Sequence, residues 1–384
     1  MRLMSKAAAI GAGLLALAGI SQPACAADLP KTLAWSAYDV GSTGYAQAVA
    51  IGAALKNERG VTLRVLPGKN DMSRLVPLQQ EKVQFSAFGI GGYQASEGVF
   101  EFGAANWGPQ PVRLLAMSNG DFCNAVIVAG DIGVKTYADL KGKRVASVKA
   151  APALNHNTYA FLRFGGLEWS DVEEVVFGGY GASMDAIVAN QVDAGNTNTT
   201  ASFATRIFAS PRGGVYPPTP HDDKEGWERM RDVAPYFFPA TCSEGAGITT
   251  PFEGANYPYP ILIAYGSQDA DLSYAMTKAL FELYPAYKDA APGANGWALE
   301  RQVLDWVLPF HDGAIRYYKE AGKWTPELQA HNDGLIERQK VLGAAWEAYK
   351  AKAPRQEEAF VKGWQQARAE ALTAAGMKPV WTEW

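Results

Sequence analysis

Within the first hundred residues, short apolar runs alternate with helical patterns, and two of the three runs end in glycine-rich turns. Thr32–Tyr38 leads into Gly41-Ser42-Thr43-Gly44-Tyr45 and a helical pattern that continues to Lys56. Val61–Leu66 alternates and is rich in branched side chains, so it is a strand. The turn Gly68–Asp71 follows it, then a helix over Met72–Glu81 that Pro77 kinks. Phe85–Gly89 runs into Gly89-Ile90-Gly91-Gly92-Tyr93 and a further helix. This β-α-β-α-β-α order demands a parallel sheet covered by helices. Such sheets take ligands outside the carboxyl ends of their strands, where both glycine turns fall.

The 41–45 turn is the sharper of the two. A helix start carries free backbone N–H groups and the positive end of the dipole, which suits an anion. Ser42 and Thr43 add hydroxyls, and Gly44 and Tyr45 add amides. The same small residues also fit a plain helix cap, and the sequence leaves both readings open.

The amino terminus has the build of a secretory signal peptide. Arg2 and Lys6 precede the apolar Ala7–Ile20, and Ala24-Cys25-Ala26 offers small residues for cleavage after Ala26. The expected location is therefore the periplasm. The formal charge of −4, with no basic cluster, argues against nucleic acid. Cys123 and Cys242 remain after cleavage. In an oxidising compartment they form either a disulfide or two separate buried thiols.

The middle of the chain repeats the alternation. Val112–Met117, Asn124–Ala129, Arg144–Val148 and Glu173–Phe177 read as strands. Gln191–Gly195 is another, and it ends in the polar tract Asn196-Thr197-Asn198-Thr199-Thr200. The expected division is a signal peptide over 1–26, a first lobe over 27–125 and a second over 126–240. A return to the first lobe over 241–325 and a helical extension over 326–384 complete it. Within the extension, Leu335, Leu342, Trp346 and Tyr349 share one face, and Pro354 separates two helices. The expected hinge lies near 123–130 and 238–247.

Four stretches carry a family resemblance. They are Gly41–Tyr45, the T-x-x-D-L-K-G-K-x-V pattern of Thr136–Val145, Gln191-Val192-Asp193-Ala194, and Leu308-Pro309-Phe310-His311-Asp312-Gly313-Ala314 leading into Tyr317–Glu320. In their order and spacing the chain resembles the TAXI family, the solute-binding proteins of tripartite ATP-independent periplasmic (TRAP) transporters, over roughly residues 31–325. The resemblance implies an α/β, two-lobed type II periplasmic-binding-protein fold. It also implies a small organic acid or amino acid held between lobes and delivered to TRAP permease subunits in the membrane. The chain departs from that family at Pro152–Asn157, where a Gly/Ser-rich turn is usual, and at the polar run 195–200.

The candidate ligand-binding residues are Ser42, Thr43, Gly44, Tyr45, Gly91 and Tyr93 from the first lobe. The second lobe offers Asn155, His156, Asn157, Asn196, Thr197 and Asn198. Amide side chains both donate and accept, so they suit a carboxylate as well as hydroxyl or amino groups. Arg74 is a possible carboxylate clamp, or a solvated surface residue. Tyr38, Tyr93 and Tyr180 are candidate aromatic walls. No nucleophile elbow, zinc-protease motif or phosphate loop occurs, and histidines at 156, 221, 311 and 331 have no metal-ligand spacing. The expectation is a monomeric binding protein without cofactor, metal or catalytic residues. A sensor subunit and an exported enzyme on the same scaffold are the alternatives.

Overall fold

The structure is a computed structural model and describes residues 28–384. The signal-peptide reading lies outside the described residues. Among those described, no helix is long and apolar enough to cross a membrane.

The chain opens with β1 (Thr32–Ala37), α1 (Thr43–Arg59), β2 (Thr62–Pro67), α2 (Asp71–Gln79), β3 (Phe85–Phe88), α3 (Gly91–Glu97) and β4 (Val112–Met117). It then crosses to β5 (Asn124–Ala129), β6 (Arg144–Val148), α4 (Pro152–Phe164), β7 (Glu173–Phe177), α5 (Tyr180–Val188) and β8 (Ala194–Asn198). There follow α6 (Ser202–Ala209), β9 (Gly214–Val215), α7 (Lys224–Val233), β10 (Phe238–Cys242) and β11 (Phe252–Asn256). The return begins with β12 (Ile261–Tyr265) and continues through α8 (Ala270–Glu282), α9 (Tyr284–Tyr287) and α10 (Asp312–Glu320). The extension is α11 (Pro326–Lys350) and α12 (Glu357–Ala374).

Two sheets result. The first is five-stranded in the order β2-β1-β3-β12-β4. β1 runs parallel to both β2 and β3, and β12 is antiparallel to β3 and β4. The second is seven-stranded, β10-β11-β5-β8-β6-β7 with β9 beside β5. Each sheet is packed by helices, which gives the two-lobed type II α/β architecture. Strands β1 and β3 are buried on both faces, as a sheet covered from both sides requires. Trp35, Phe85 and Phe88 fill the first lobe, and Met184, Ile187 and Ile207 a cluster in the second.

The expected lobe boundary at 240/241 needs correction. β10 and β11 both belong to the second sheet, with Phe238 opposite Asn256 and Ala255 opposite Asn124. The crossings between sheets are therefore 118–123 and 257–260, and the segment 238–247 is no hinge. Alternation identifies a strand, but pairing partners decide which sheet it joins, and those come from distant sequence. Cys123 and Cys242 are joined in a disulfide, with Cα atoms 5.4 Å apart. Only Cys123 sits at a crossing; Cys242 closes β10, so the bridge ties the second lobe to one crossing.

Helices α11 and α12 form a hairpin with Trp346, Tyr349, Phe360 and Trp364 packed between them. The hairpin is fixed to the first lobe through a buried carboxylate. Glu97 at the end of α3 accepts from Arg338 at 2.6 and 2.8 Å and is paired with fully buried Arg368. Arg368 also donates to the carbonyls of Val380 and Trp381, at 2.8 and 3.0 Å. That fixes the tail so that Trp381 packs against Tyr93 and Phe100 of the first lobe and His156 of the second. The indole N–H donates to Val233 O at 2.6 Å, so the extension holds on to both lobes.

Candidate functional site

A cleft of about 610 Å³, its open mouth included, lies between the lobes at the ends of the strands. From the first lobe come Tyr38 and Asp39 after β1, Lys69, Asp71 and Arg74 after β2, and Ile90 after β3. From the second come Asn124, Asn157 and Tyr180, with Asn196, Thr197 and Asn198 on β8. Tyr257 and Tyr259, on the returning crossing, form the back wall.

The second-lobe wall is a hydrogen-bonded frame. Asn157 donates to Tyr257 Oη at 3.0 Å and accepts from Tyr236 Oη at 2.7 Å. Thr197 and Tyr180 hydroxyls are 2.8 Å apart. Asn124 donates to Asn256 Oδ1 at 2.9 Å, and Asn256 donates to Phe122 O. Burial pushes the Tyr180 hydroxyl up to about 12, so these phenols stay protonated as donors near neutral pH.

Arg74 is 5% exposed and its guanidinium stacks on Tyr38, 4.0 Å from the ring centre. It pairs with Asp71 on its own helix. The Asp71 carboxylate in turn accepts from the Ala153 amide across the cleft, at 3.0 Å. Burial raises the Asp71 pKa, while Arg74 and the Ala153 amide pull it back. Of the buried donors without partners among the described residues, two belong to residues that line the cleft: Arg74 Nε from the first lobe and Asn196 Nδ2 from the second.

The candidate residues divide into two groups. Ser42, Asn157, Asn196, Thr197, Asn198 and Arg74 line the cleft. The others do not. Thr43 donates to Asn198 Oδ1 at 2.5 Å and lies 2.9 Å from Thr200 Oγ1, so it bridges the lobes. Gly44 lies under two rings: a Cβ there would stand 2.4 Å from Tyr38 and 3.1 Å from Tyr259 Oη. The Tyr45 amide is capped by Ser42 Oγ at 3.3 Å. Within the 41–45 turn, Thr43, Gly44 and the Tyr45 amide are thus covered or capped, and Ser42 is the member that reaches the cleft. Gly91 packs beside Asp71 and Phe88, and Tyr93 against Trp381. Asn155 spends both side-chain groups on the Val148 backbone, at 2.8 and 2.9 Å. His156 is buried against the tail, and desolvation lowers its pKa to about 4. No cluster of metal-ligating side chains occurs among the described residues.

Among the cleft residues that escaped sequence reasoning are Asp71, Asn124, Tyr257 and Tyr259. Only the last pair had a signal, in Tyr257-Pro258-Tyr259-Pro260, where prolines at a strand boundary hold two aromatics in an extended turn.

The NMT1-like family model matches residues 38–322. No curated protein sequence matches the chain. Among solved structures it is similar to the alkanesulfonate-binding protein SsuA from Xanthomonas axonopodis pv. citri bound to MOPS. Identity there is 15%, coverage is 92% of this chain and 96% of that one, and the TM-score is 0.42. The periplasmic aliphatic sulphonate binding protein SsuA from Escherichia coli has 14% identity, 91% and 90% coverage, and a TM-score of 0.41. An ancestral arginine-binding protein bound to arginine has 15% identity, 68% and 94% coverage, and a TM-score of 0.41.

Proposed function

The chain belongs to the NMT1-like family, and from that premise we propose that it is an extracytoplasmic solute-binding protein that captures a small organic anion between its lobes. The ligand is a carboxylic acid or amino acid, and a TRAP-type permease in the membrane receives it. One observation supports this most: Arg74 Nε and Asn196 Nδ2 are buried, unpartnered donors on residues that line one cleft from opposite lobes. A buried donor without an acceptor costs about 1–3 kcal/mol. An acceptor-bearing ligand that spans both would remove that cost in the closed form alone, which is what lets a ligand draw lobes together. A hydroxyl or amino group on the ligand would find Asn198, Thr197 and Tyr180 alongside.

Native mass spectrometry of protein purified without refolding identifies a co-purified solute, and calorimetry on that solute follows. Asn196→Ala removes one of the two donors and should weaken binding by roughly 10- to 100-fold, the scale of a hydrogen bond to a charged group. Unchanged affinity would take the β8 wall out of the site. Conversion of the solute on incubation would replace the transport reading with the enzyme reading.

A further inference from the structure

Helix α4 starts without a cap of its own. Ala151 stands at the capping position with no side-chain acceptor, and Pro152 at the first helical position has no N–H. The first donor is therefore the Ala153 amide, at the positive end of a 13-residue dipole. A carboxylate from the other lobe occupies it: Asp71 Oδ2 at 3.0 Å. Asp71 is 2% exposed, and its other oxygen is held by Arg74. Asp71 is not needed to start its own helix, because Asn70 and Ser73 form the capping box of α2. A second observation marks the place as a ligand position: Arg74, more than nine-tenths buried, keeps Nε unpartnered beside this carboxylate.

The charges lining the cleft are Asp39, Asp71, Lys69 and Arg74, which cancel. A ligand's first carboxylate would meet Arg74 Nε and Asn196 Nδ2. A second would reach for the end of α4, where Asp71 already sits and repels it. We propose that Asp71 is a tethered anion that fills the second carboxylate position of the cleft, so that the site accepts ligands with a single carboxyl-type end and rejects dicarboxylates. This rests on the solute-binding reading above.

The test needs no knowledge of the natural ligand. Asp71→Ala deletes the carboxylate, and added acetate is close in size and charge to the group removed. The amide resonance of Ala153 in labelled protein reports occupancy, and the melting temperature reports its effect on the fold. Acetate should shift that resonance saturably and raise the melting temperature in Asp71→Ala, with affinity at least tenfold above wild type and above Asp71→Asn. Asn is the isosteric variant that keeps an acceptor for Ala153. If the alanine variant does not fold, Asp71→Ser carries the same titration. Equal response in wild type and variant, or no response in either, overturns the assignment. So does a co-purified solute with two carboxylates. Rescue by acetate without any bound solute would leave Asp71 as the anion at the start of α4 but overturn its part in ligand selection together with the binding function; a bound solute without rescue would keep the binding function and overturn the assignment of Asp71.

Discussion

The N-termini of α1 and α4 reach the lobe interface from opposite sides. α1 begins after Gly41-Ser42 and satisfies itself: Ser42 caps it, and Tyr38 and Tyr259 cover it. α4 begins with Ala151-Pro152-Ala153 and has no side-chain cap of its own, so a carboxylate from the facing lobe supplies the missing acceptor. The flank of α4 is also held from outside, through His156 against Trp381 of the tail. A cap written into the local sequence closes a helix end to ligands. An uncapped end must recruit an acceptor, and that acceptor couples the lobes.

The sharpest way to break this comparison is Arg74→Met. It strands the buried Asp71 carboxylate without its cation, and removing one member of a buried pair typically costs about 3–5 kcal/mol. The Asp71 pKa, already raised by burial, would rise further, because Arg74 is the first of the two influences lowering it. A carboxyl with a raised folded pKa favours the fold most when protonated. The loss in urea denaturation should therefore be largest above that raised pKa and shrink as pH falls through it toward the ordinary carboxylate range. A loss below about 1 kcal/mol at pH 7 would mean that Asp71 is hydrated rather than held.

Next comes acid sensitivity at the flank of α4. His156 is 7% exposed and stays neutral in the fold down to about pH 4. The unfolded chain takes up that proton near pH 6.5. Stability should thus be level above about pH 6.5 and fall as pH drops from there to about 4, by on the order of 3 kcal/mol. His156→Phe should flatten that interval in denaturation midpoints. An unchanged slope would assign the acid loss elsewhere.

The α1 end should respond to size rather than charge. Gly44→Ala places a methyl 2.4 Å from Tyr38 and should cost about 1–3 kcal/mol by overpacking. Gly44→Asp should for the same reason perturb the fold as well as any binding. Smaller again, Ser42→Ala should cost about 1 kcal/mol as a lost cap. A binding change larger than the stability change in Ser42→Ala would restore the turn as part of the ligand site.

Much of the second-lobe wall was legible. The five adjacent polar residues Asn196–Thr200 stand at the end of a buried strand, and polar side chains there need a partner or a ligand. Asp71 carried no such signal, because beside Asn70 and Ser73 it looks like part of a helix start. Its role depends on Ala153, 82 residues away. The extension shows the same limit. Its heptad-like spacing announced a hairpin, but the Glu97 pairing with Arg338 and Arg368 links positions 241 and 271 residues apart.

Local chemistry determined the alternation of strands and helices, the covered parallel core, the glycine turns at strand ends and the two C-terminal helices. These follow from side-chain period and backbone preference within a few residues. The tertiary structure alone decided that β10 and β11 join the second sheet, that Thr43 and Gly44 are covered while Ser42 lines the cleft, and that Asp71 meets α4. Each of those depends on which donors, acceptors and rings arrive from distant parts of the chain, and a buried polar group takes its meaning from the partner it finds there.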